Sequence, residues 1–232
     1  MVTKNLPQYA TEKWEDYIVS VTEASKSNSG VPLVVSDMNI YNFDDICKSL
    51  FPDRDVHTSA DGLRLQRGKV ELVEFKSGFS QIITKDKFIP SEGVCDILKE
   101  RGIEYVCDPY WKIFWKLQKK ERKQLLESIR AKAIESYIFL EKHILPVCDE
   151  LENGEKAQLI LTVVVDEDGV DGIEDILAEA AETDLQTDNC LSSIRQSLKR
   201  LVNRQDANGS SYFYDYIQVF SAKDFVNYIK LT

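Results

Sequence analysis

Residues 61–78, DGLRLQRGKVELVEFKSG, contain two short segments that meet at Arg67-Gly68. Apolar side chains recur at alternate positions in both segments, which is typical of β-strands with one face in the core. Gly68 at the junction favours a tight turn. The stretch therefore predicts an antiparallel β-hairpin at the centre of the fold.

The hydrophobic pattern also predicts the register of this hairpin. If Leu65 pairs with Val70, then Leu63 lies opposite Leu72. A slip by one residue would place both leucines opposite charged side chains and turn every side chain to the other face. A two-residue or a four-residue connection gives this register. A three-residue connection with Gly68 in the left-handed conformation is the local alternative, and the pairing pattern argues against it.

This register brings charged side chains together at one end of the hairpin. Asp61 falls opposite Glu74, and directly opposed Cβ atoms in antiparallel strands lie about 4.5–5.5 Å apart. Lys76 follows two residues after Glu74 and points to the same face. Two carboxylates this close favour a cation between them or a bound proton. Mg²⁺ (or Mn²⁺) suits two carboxylates together with the phosphate oxygens of a substrate.

The arrangement resembles the PD-(D/E)xK nuclease superfamily, which includes restriction endonucleases and related DNA-processing exonucleases. The resemblance rests on Asp61 followed on the next strand by Glu74-x-Lys76, and on the Ser77-Gly78 that comes next. It implies that Asp61 and Glu74 are metal ligands. It also implies that Lys76 positions or activates the attacking water, or stabilises charge on the phosphate. Ala60 stands where many members have Pro.

A plainer interpretation of the same three residues is a surface ion pair, formed by Lys76 with Glu74 or Asp61 at the end of the sheet.

Composition and charge limit the functions open to the chain. Its 232 residues with 43% hydrophobic content suit a globular protein with a substantial core. The N-terminal residues lack the apolar centre of an export signal, and no run is long enough for a membrane span. The five cysteines form no CxxC pair, so we expect reduced thiols and a cytoplasmic location.

The net charge of −10 argues against a general basic surface for nucleic acid. Our first hypothesis is nevertheless a metal-dependent phosphodiesterase acting on DNA, in phage defence or mobile-element biology. The alternative is a catalytically silent acidic interaction or immunity-like protein that binds a protein partner and uses the same fold without the chemistry. The charge favours the alternative, whereas the placement of the charged triad on an apolar sheet face favours the nuclease.

The remaining pattern predicts an α/β fold, and the resemblance implies a restriction endonuclease-like core, in which helices flank a central mixed sheet. We expect the core in residues 1–166 and a C-terminal α/β extension on the same domain in residues 167–232. The predicted helices cover residues 10–27, 42–51, 91–101, 110–144, 173–203 and 222–229. Beside the hairpin, the predicted strands cover residues 32–36, 79–84, 103–107, 157–165 and 212–220.

A few further residues are candidates for the site. Glu12 or Glu15 on the first helix could supply another acid, and His57 and Gln81 could line the same cleft, although ordinary surface roles explain each of them. The long helix is basic, and a phosphate backbone could follow it, with Trp111 or Trp115 stacking on a base. A solvated helix face is the simpler explanation. The basic residues of this helix are Lys112, Lys116, Lys119, Lys120, Arg122, Lys123, Arg130 and Lys132.

Overall fold

The computed structural model describes residues 5–51, 58–66, 68–79, 107–147, 157–166, 190–202 and 213–232. Six strands in these ranges form one sheet, and their order in space follows their order along the chain. They are β1 (Ile18–Ser20), β2 (Asn39–Asn42), β3 (Gly62–Gln66), β4 (Lys69–Lys76), β5 (Gln158–Val165) and β6 (Tyr216–Ser221). Strands β1 to β4 are antiparallel, and β4, β5 and β6 are parallel. The expected α/β class with a mixed sheet is confirmed.

Helices cover both faces of this sheet. They are α1 (Leu6–Lys13), α2 (Val21–Ala24), α3 (Phe43–Leu50), α4 (Cys107–Phe139), α5 (Cys190–Leu198) and α6 (Ala222–Leu231). Helix α4 continues as a π-helical turn at Leu140–Ile144 and a 3-10 turn at Leu145–Val147. Residues of α1, α3, α4 and α5 form the core on one face, and residues of α2 and α6 form it on the other. Strand β5 is therefore buried on both sides, as its continuous apolar run predicts.

The predicted hairpin register is confirmed. Leu63 pairs with Leu72 and Leu65 with Val70, and the pairing continues to the last residues of the two strands at the turn. Two residues separate the strands, and Gly68 has a φ of 75°, a conformation that glycine adopts without strain. At the open end, Asp61 directly precedes β3, and the neighbouring pair is Gly62 with Val73. Asp61 and Glu74 therefore lie at the same end of the hairpin.

The prediction of one helix over residues 10–27 is wrong. Asn5, rather than Thr11, caps α1, and its side chain accepts a hydrogen bond from the backbone N–H of Gln8. The chain then leaves the helix, and residues Ile18–Ser20 pair with β2 at the edge of the sheet. The β-branched pair Ile18-Val19 suits a strand, and pairing with β2 outweighs the weak helical pattern.

The predicted strand over residues 32–36 is also wrong, because β2 begins only at Asn39. Side chains of α2 and its end bind this backbone instead. The Ser25 hydroxyl bridges both backbone groups of Val34, and the Thr22 hydroxyl does the same for Ser36. Serine and threonine compete for backbone groups in this way, which removes those groups from a sheet ladder.

Several other predicted elements are confirmed with small changes of boundary. Asn42 caps α3, and the long helix, the buried strand β5, the last strand and the closing helix are present. The helix predicted at residues 173–203 is seen as α5 and a 3-10 turn at Lys199–Leu201. Cys107, predicted to end a strand, begins α4.

Parts of the prediction lie outside the described residues. These are His57, Gln81, residues 80–84 of one strand, the helix at 91–101, residues 103–106 and residues 173–189. The proposed division at residue 166 stays a prediction, although β6 adds to the same sheet as β5. Within the described ranges, no helix is both long and apolar enough to cross a membrane.

Candidate active site

The sheet topology brings three chain segments to one edge. Strands β4 and β5 run parallel and end there, at Lys76 and Val165, and the antiparallel β3 begins there after Asp61. Ligands of open α/β sheets bind in the crevice outside the carboxyl ends of parallel strands. The predicted residues Asp61, Glu74 and Lys76 are therefore gathered where the fold leaves room for a ligand.

The position of Asp61 is fixed by backbone contacts. Its Oδ2 accepts a hydrogen bond from the N–H of Phe75 at 2.7 Å, and its carbonyl oxygen accepts one from Phe43 at 3.2 Å. The N–H of the preceding Ala60 donates to the hydroxyl of Ser136 on α4 at 2.7 Å. These contacts hold the carboxylate in one orientation. Its other oxygen, Oδ1, faces the ammonium of Lys132.

Glu74 lies deeper than Asp61. Its side chain is 1% exposed, against 24% for Asp61. Its Oε1 is buried and has no hydrogen-bond partner in the described part of the chain. Burial and the neighbouring charge of Asp61 raise the pKa of Glu74, while the ammonium groups of Lys132 and Lys76 act in the opposite direction. The carboxylate pair therefore still favours additional positive charge.

Lys132 of α4 is the site residue that the sequence did not single out. Its ammonium donates to Asp61 Oδ1 at 3.0 Å and to Glu74 Oε2 at 2.9 Å. Burial alone would lower the pKa of Lys132, but the charges of Glu74 and Asp61 outweigh burial and raise it. A positively charged ammonium thus bridges the two carboxylates. The ion pair is made by Lys132, and not by Lys76 as the plainer interpretation expected.

A polar stripe on α4 carries Lys132. Ser128, Lys132 and Ser136 follow one another at intervals of four residues and share one face of the helix. They contact Lys76, the carboxylate pair and the backbone of Ala60, respectively. This stripe could have been found in the sequence, because polar residues at helical spacing beside the buried Ile129 and Ala133 need partners in the core.

Lys76, the last residue of β4, contacts α4. Its ammonium donates to the hydroxyl of Ser128 at 3.1 Å, so the end of the side chain is held against α4. It is partly buried and lines a groove outside the sheet edge. It is close enough to Glu74 to act on the ionisation of that carboxylate. The residue can therefore present a positive charge to a molecule in the groove.

The groove has a volume of about 770 Å³, and we call it the Asp61 groove. Asp61, Lys76 and Lys132 line it together with residues 24–29 and 31–33. The segment 24–29 is rich in small polar residues around Lys26. Glu74 is not part of the lining and lies beneath Asp61 and Lys132.

Asp166, directly after β5, is a second residue that the sequence did not assign to the site. Its carboxylate accepts hydrogen bonds from the N–H groups of Gly78 at 3.1 Å and Phe79 at 2.9 Å, and it lines the Asp61 groove. Gly78 has a φ of 103°, a conformation that strongly favours glycine. Asp166 therefore holds the turn that follows Lys76. The sequence pattern gives Asp166 no role, since its partners come from a distant segment.

The other candidates do not join the site. Glu12 and Glu15 are exposed and do not line the groove, and His57 and Gln81 lie outside the described residues, as does the side chain of Trp111. Trp115 stacks with the ammonium of Lys119 on the same helix.

The basic stretch of α4 points away from the carboxylates. At about 100° per residue, Lys112, Lys116, Lys119 and Lys123 lie on the side of the helix opposite Ser128 and Lys132, and Lys120 lies on the flank. All five lysines face solvent fully or partly. Arg122 is instead buried and donates to the carbonyl oxygen of Phe79. The stretch thus matches the simpler explanation of a solvated helix face.

Asp61 Oδ1 and Glu74 Oε2 converge on one point, which the Lys132 ammonium occupies. Glu74 Oε1 adds a buried oxygen without a partner among the described residues. No third His, Cys, Asp or Glu completes a metal-binding cluster in the described ranges. Two carboxylates with substrate oxygens and water are a usual ligand set for Mg²⁺.

Comparison with known proteins gives no relative: no family profile, curated protein or solved structure matches this chain.

Proposed function

We propose that this protein is a divalent-metal-dependent phosphodiesterase that acts on DNA, built on a restriction endonuclease-like core. The observation that carries the proposal is that Asp61 and Lys76 line one groove and that Glu74 lies beneath Asp61 and Lys132. Asp61, Glu74 and Lys76 come from one register-defined hairpin, and the sheet opens into solvent at that edge.

Each residue has a role that its position supports. Asp61 and Glu74 would hold Mg²⁺ or Mn²⁺, which when bound polarises the scissile phosphate and favours ionisation of a bound water. Lys76, held by Ser128 at the groove, stabilises negative charge on the phosphate or orients the attacking water. Asp166 and Gly78 keep the segment after Lys76 in place.

The groove also supports a phosphate-containing substrate. The groove is also lined by Lys26, Ser27, Asn28 and Ser29. The Lys26 ammonium pairs with the exposed Glu23, and the Ser27 hydroxyl contacts Ser29, so a phosphate would replace surface contacts of these groups. Hydroxyls, amides and lysine ammonium groups are common phosphate ligands in protein–DNA contacts. Because the chain carries a charge of −10 and the α4 lysines face away, affinity would come from this local set and the bound cation.

The test is cleavage of supercoiled plasmid, linear duplex and single-stranded circular DNA in Mg²⁺ or Mn²⁺. We expect cleavage that EDTA abolishes and that Glu74→Gln and Lys76→Met each reduce about 100-fold or more. Lys123→Met is the matched control, because it removes an exposed lysine on the far side of α4. Equal cleavage by wild type and Glu74→Gln would assign the activity to a contaminant and refute the proposal.

A catalytically silent interaction protein is the second candidate, and one observation favours it. The Lys132 ammonium already lies between the two carboxylates, where a metal ligand set would need its cation. Calorimetric titration of Mg²⁺ and Mn²⁺ into wild type and Glu74→Ala separates the candidates. Saturable binding that the substitution removes supports the nuclease, and identical traces support the silent protein.

A further inference from the structure

Lys132 occupies the one point on which both site carboxylates converge. Its ammonium is within 3.0 Å of Asp61 Oδ1 and 2.9 Å of Glu74 Oε2. A metal ion held by the same two oxygens would need that space. Two cations cannot occupy it together, since they would repel each other at contact distance in a partly desolvated site.

Among the described residues, Asp61 and Lys132 lie between Glu74 and the groove. Glu74 is 1% exposed and does not line the Asp61 groove, whereas both Asp61 and Lys132 do. A cation that arrives from solvent therefore meets Lys132 before it meets Glu74. The Lys132 ammonium therefore occupies the position that the metal ion would take between the two carboxylates.

The carboxylates are fixed, whereas the lysine can move. Asp61 is held through the N–H of Phe75, and Glu74 is enclosed within the sheet layer. Lys132 is 23% exposed and joins the helix through a flexible four-carbon chain. Because Lys132 lines the groove, rotation of its side chain would carry the ammonium toward solvent.

We propose that Lys132 is a built-in counter-ion of the Asp61–Glu74 pair, which a divalent cation displaces into the Asp61 groove when it binds. The inference rests on the proposed function, because it concerns the same carboxylate pair. The inference adds regulation of the site. In the absence of metal, Lys132 neutralises the carboxylate pair. Its competition lowers the apparent affinity for the metal, so that the site fills only at a higher metal concentration.

The first experiment is a calorimetric titration of Mn²⁺ into wild type, Lys132→Met and the control Lys123→Met. Methionine keeps an unbranched chain of similar length and removes the charge. We expect Lys132→Met to bind Mn²⁺ at least about tenfold more tightly than wild type, because the competing cation is gone. The Lys123→Met protein should bind like wild type.

The second experiment uses wild type alone, so it does not depend on how a variant folds. Amines are acetylated briefly with a succinimidyl ester, with and without saturating Mn²⁺, and Lys132 modification is followed by mass spectrometry. We expect Mn²⁺ to accelerate acetylation of Lys132 several-fold as its ammonium leaves the carboxylates. Acetylation of the exposed Lys123 should not change.

The outcomes separate this inference from the proposed function. Equal Mn²⁺ affinity of wild type and Lys132→Met, with unchanged acetylation of Lys132, would overturn the counter-ion and leave the metal site intact. Binding to Lys132→Met alone would support the counter-ion and overturn a metal-dependent activity of the natural chain. Absence of binding to both proteins at millimolar Mn²⁺ would overturn both.

Discussion

Burial raises the pKa of two titratable residues of this fold. At Glu74, burial and the charge of Asp61 raise the pKa, while the ammonium groups of Lys132 and Lys76 act in the opposite direction. At Cys47 in α3, burial is the largest effect and raises the pKa of the thiol to about 12 from 9.0. Burial therefore favours the neutral form of both side chains.

The thiol of Cys47 should therefore be unreactive in the folded protein. With a pKa of about 12 instead of 9.0, the folded protein contains about 1000-fold less Cys47 thiolate at neutral pH than the unfolded chain. We expect iodoacetamide to modify Cys47 at least that much more slowly in native protein than in urea, as measured by peptide mass spectrometry. Similar rates in the two conditions would contradict the burial of this side chain.

The raised pKa of Cys47 also determines the direction in which stability changes with pH. The unfolded chain loses the thiol proton near pH 9.0, while the folded protein keeps it until pH about 12. The contribution of Cys47 to stability is complete below the lower value and is lost as pH rises toward the higher one. Cys47→Ala should remove this alkaline component from urea unfolding measured across that range.

At the scale of elements, α4 organises the site more than any strand does. Its stripe of Ser128, Lys132 and Ser136 contacts the end of β4 and the segment before β3. Side-chain hydroxyls also decided where β2 begins, because Thr22 and Ser25 bind backbone groups that a strand would have used. The pattern of apolar residues predicts where helices and strands occur, whereas such polar contacts determine the residues at which they begin and end.

Ser136 should matter for both stability and the position of Asp61. It is fully buried and accepts the N–H of Ala60, so Ser136→Ala would leave a buried donor without a partner. We expect the free energy of unfolding to fall by about 1–3 kcal/mol in urea titrations.

Ser49→Ala is the control for this measurement, because the Ser49 hydroxyl donates to Ile46 within its own helix. It should change stability by no more than about 0.5 kcal/mol. An equally small effect of Ser136→Ala would show that the segment before β3 is held by other contacts.

At the scale of the whole molecule, a polar network on the other face of the sheet ties the C-terminus to the hairpin. Arg64 of β3 donates to the buried Glu71 of β4 at 2.7 Å and to Thr232 after α6 at 2.9 Å. Thr162 of β5 donates to the same carboxylate. The network joins three strands and the last helix across an otherwise apolar layer.

Arg64→Leu should destabilise the protein strongly, since it leaves the charge of Glu71 buried without its cation. We expect a loss of about 3–5 kcal/mol in the free energy of unfolding by guanidinium. The double variant Arg64→Leu with Glu71→Leu should lose less, because it removes the uncompensated charge as well. If the single and the double variant lose the same free energy of unfolding, the unpaired charge of Glu71 is not the cause of the destabilisation.

The sequence by itself determined the hairpin, its register and the meeting of Asp61, Glu74 and Lys76, because these follow from an alternating pattern over neighbouring residues. It also determined β5, α4, the Asn42 cap and the closing β6–α6 unit. Only the tertiary structure decided that Lys132 lies between the carboxylates, that Asp166 holds the turn after Lys76, and that residues 18–20 form an edge strand. The physical reason is distance along the chain: these contacts join residues that local periodicity does not relate, and they form only when helices and sheet pack together.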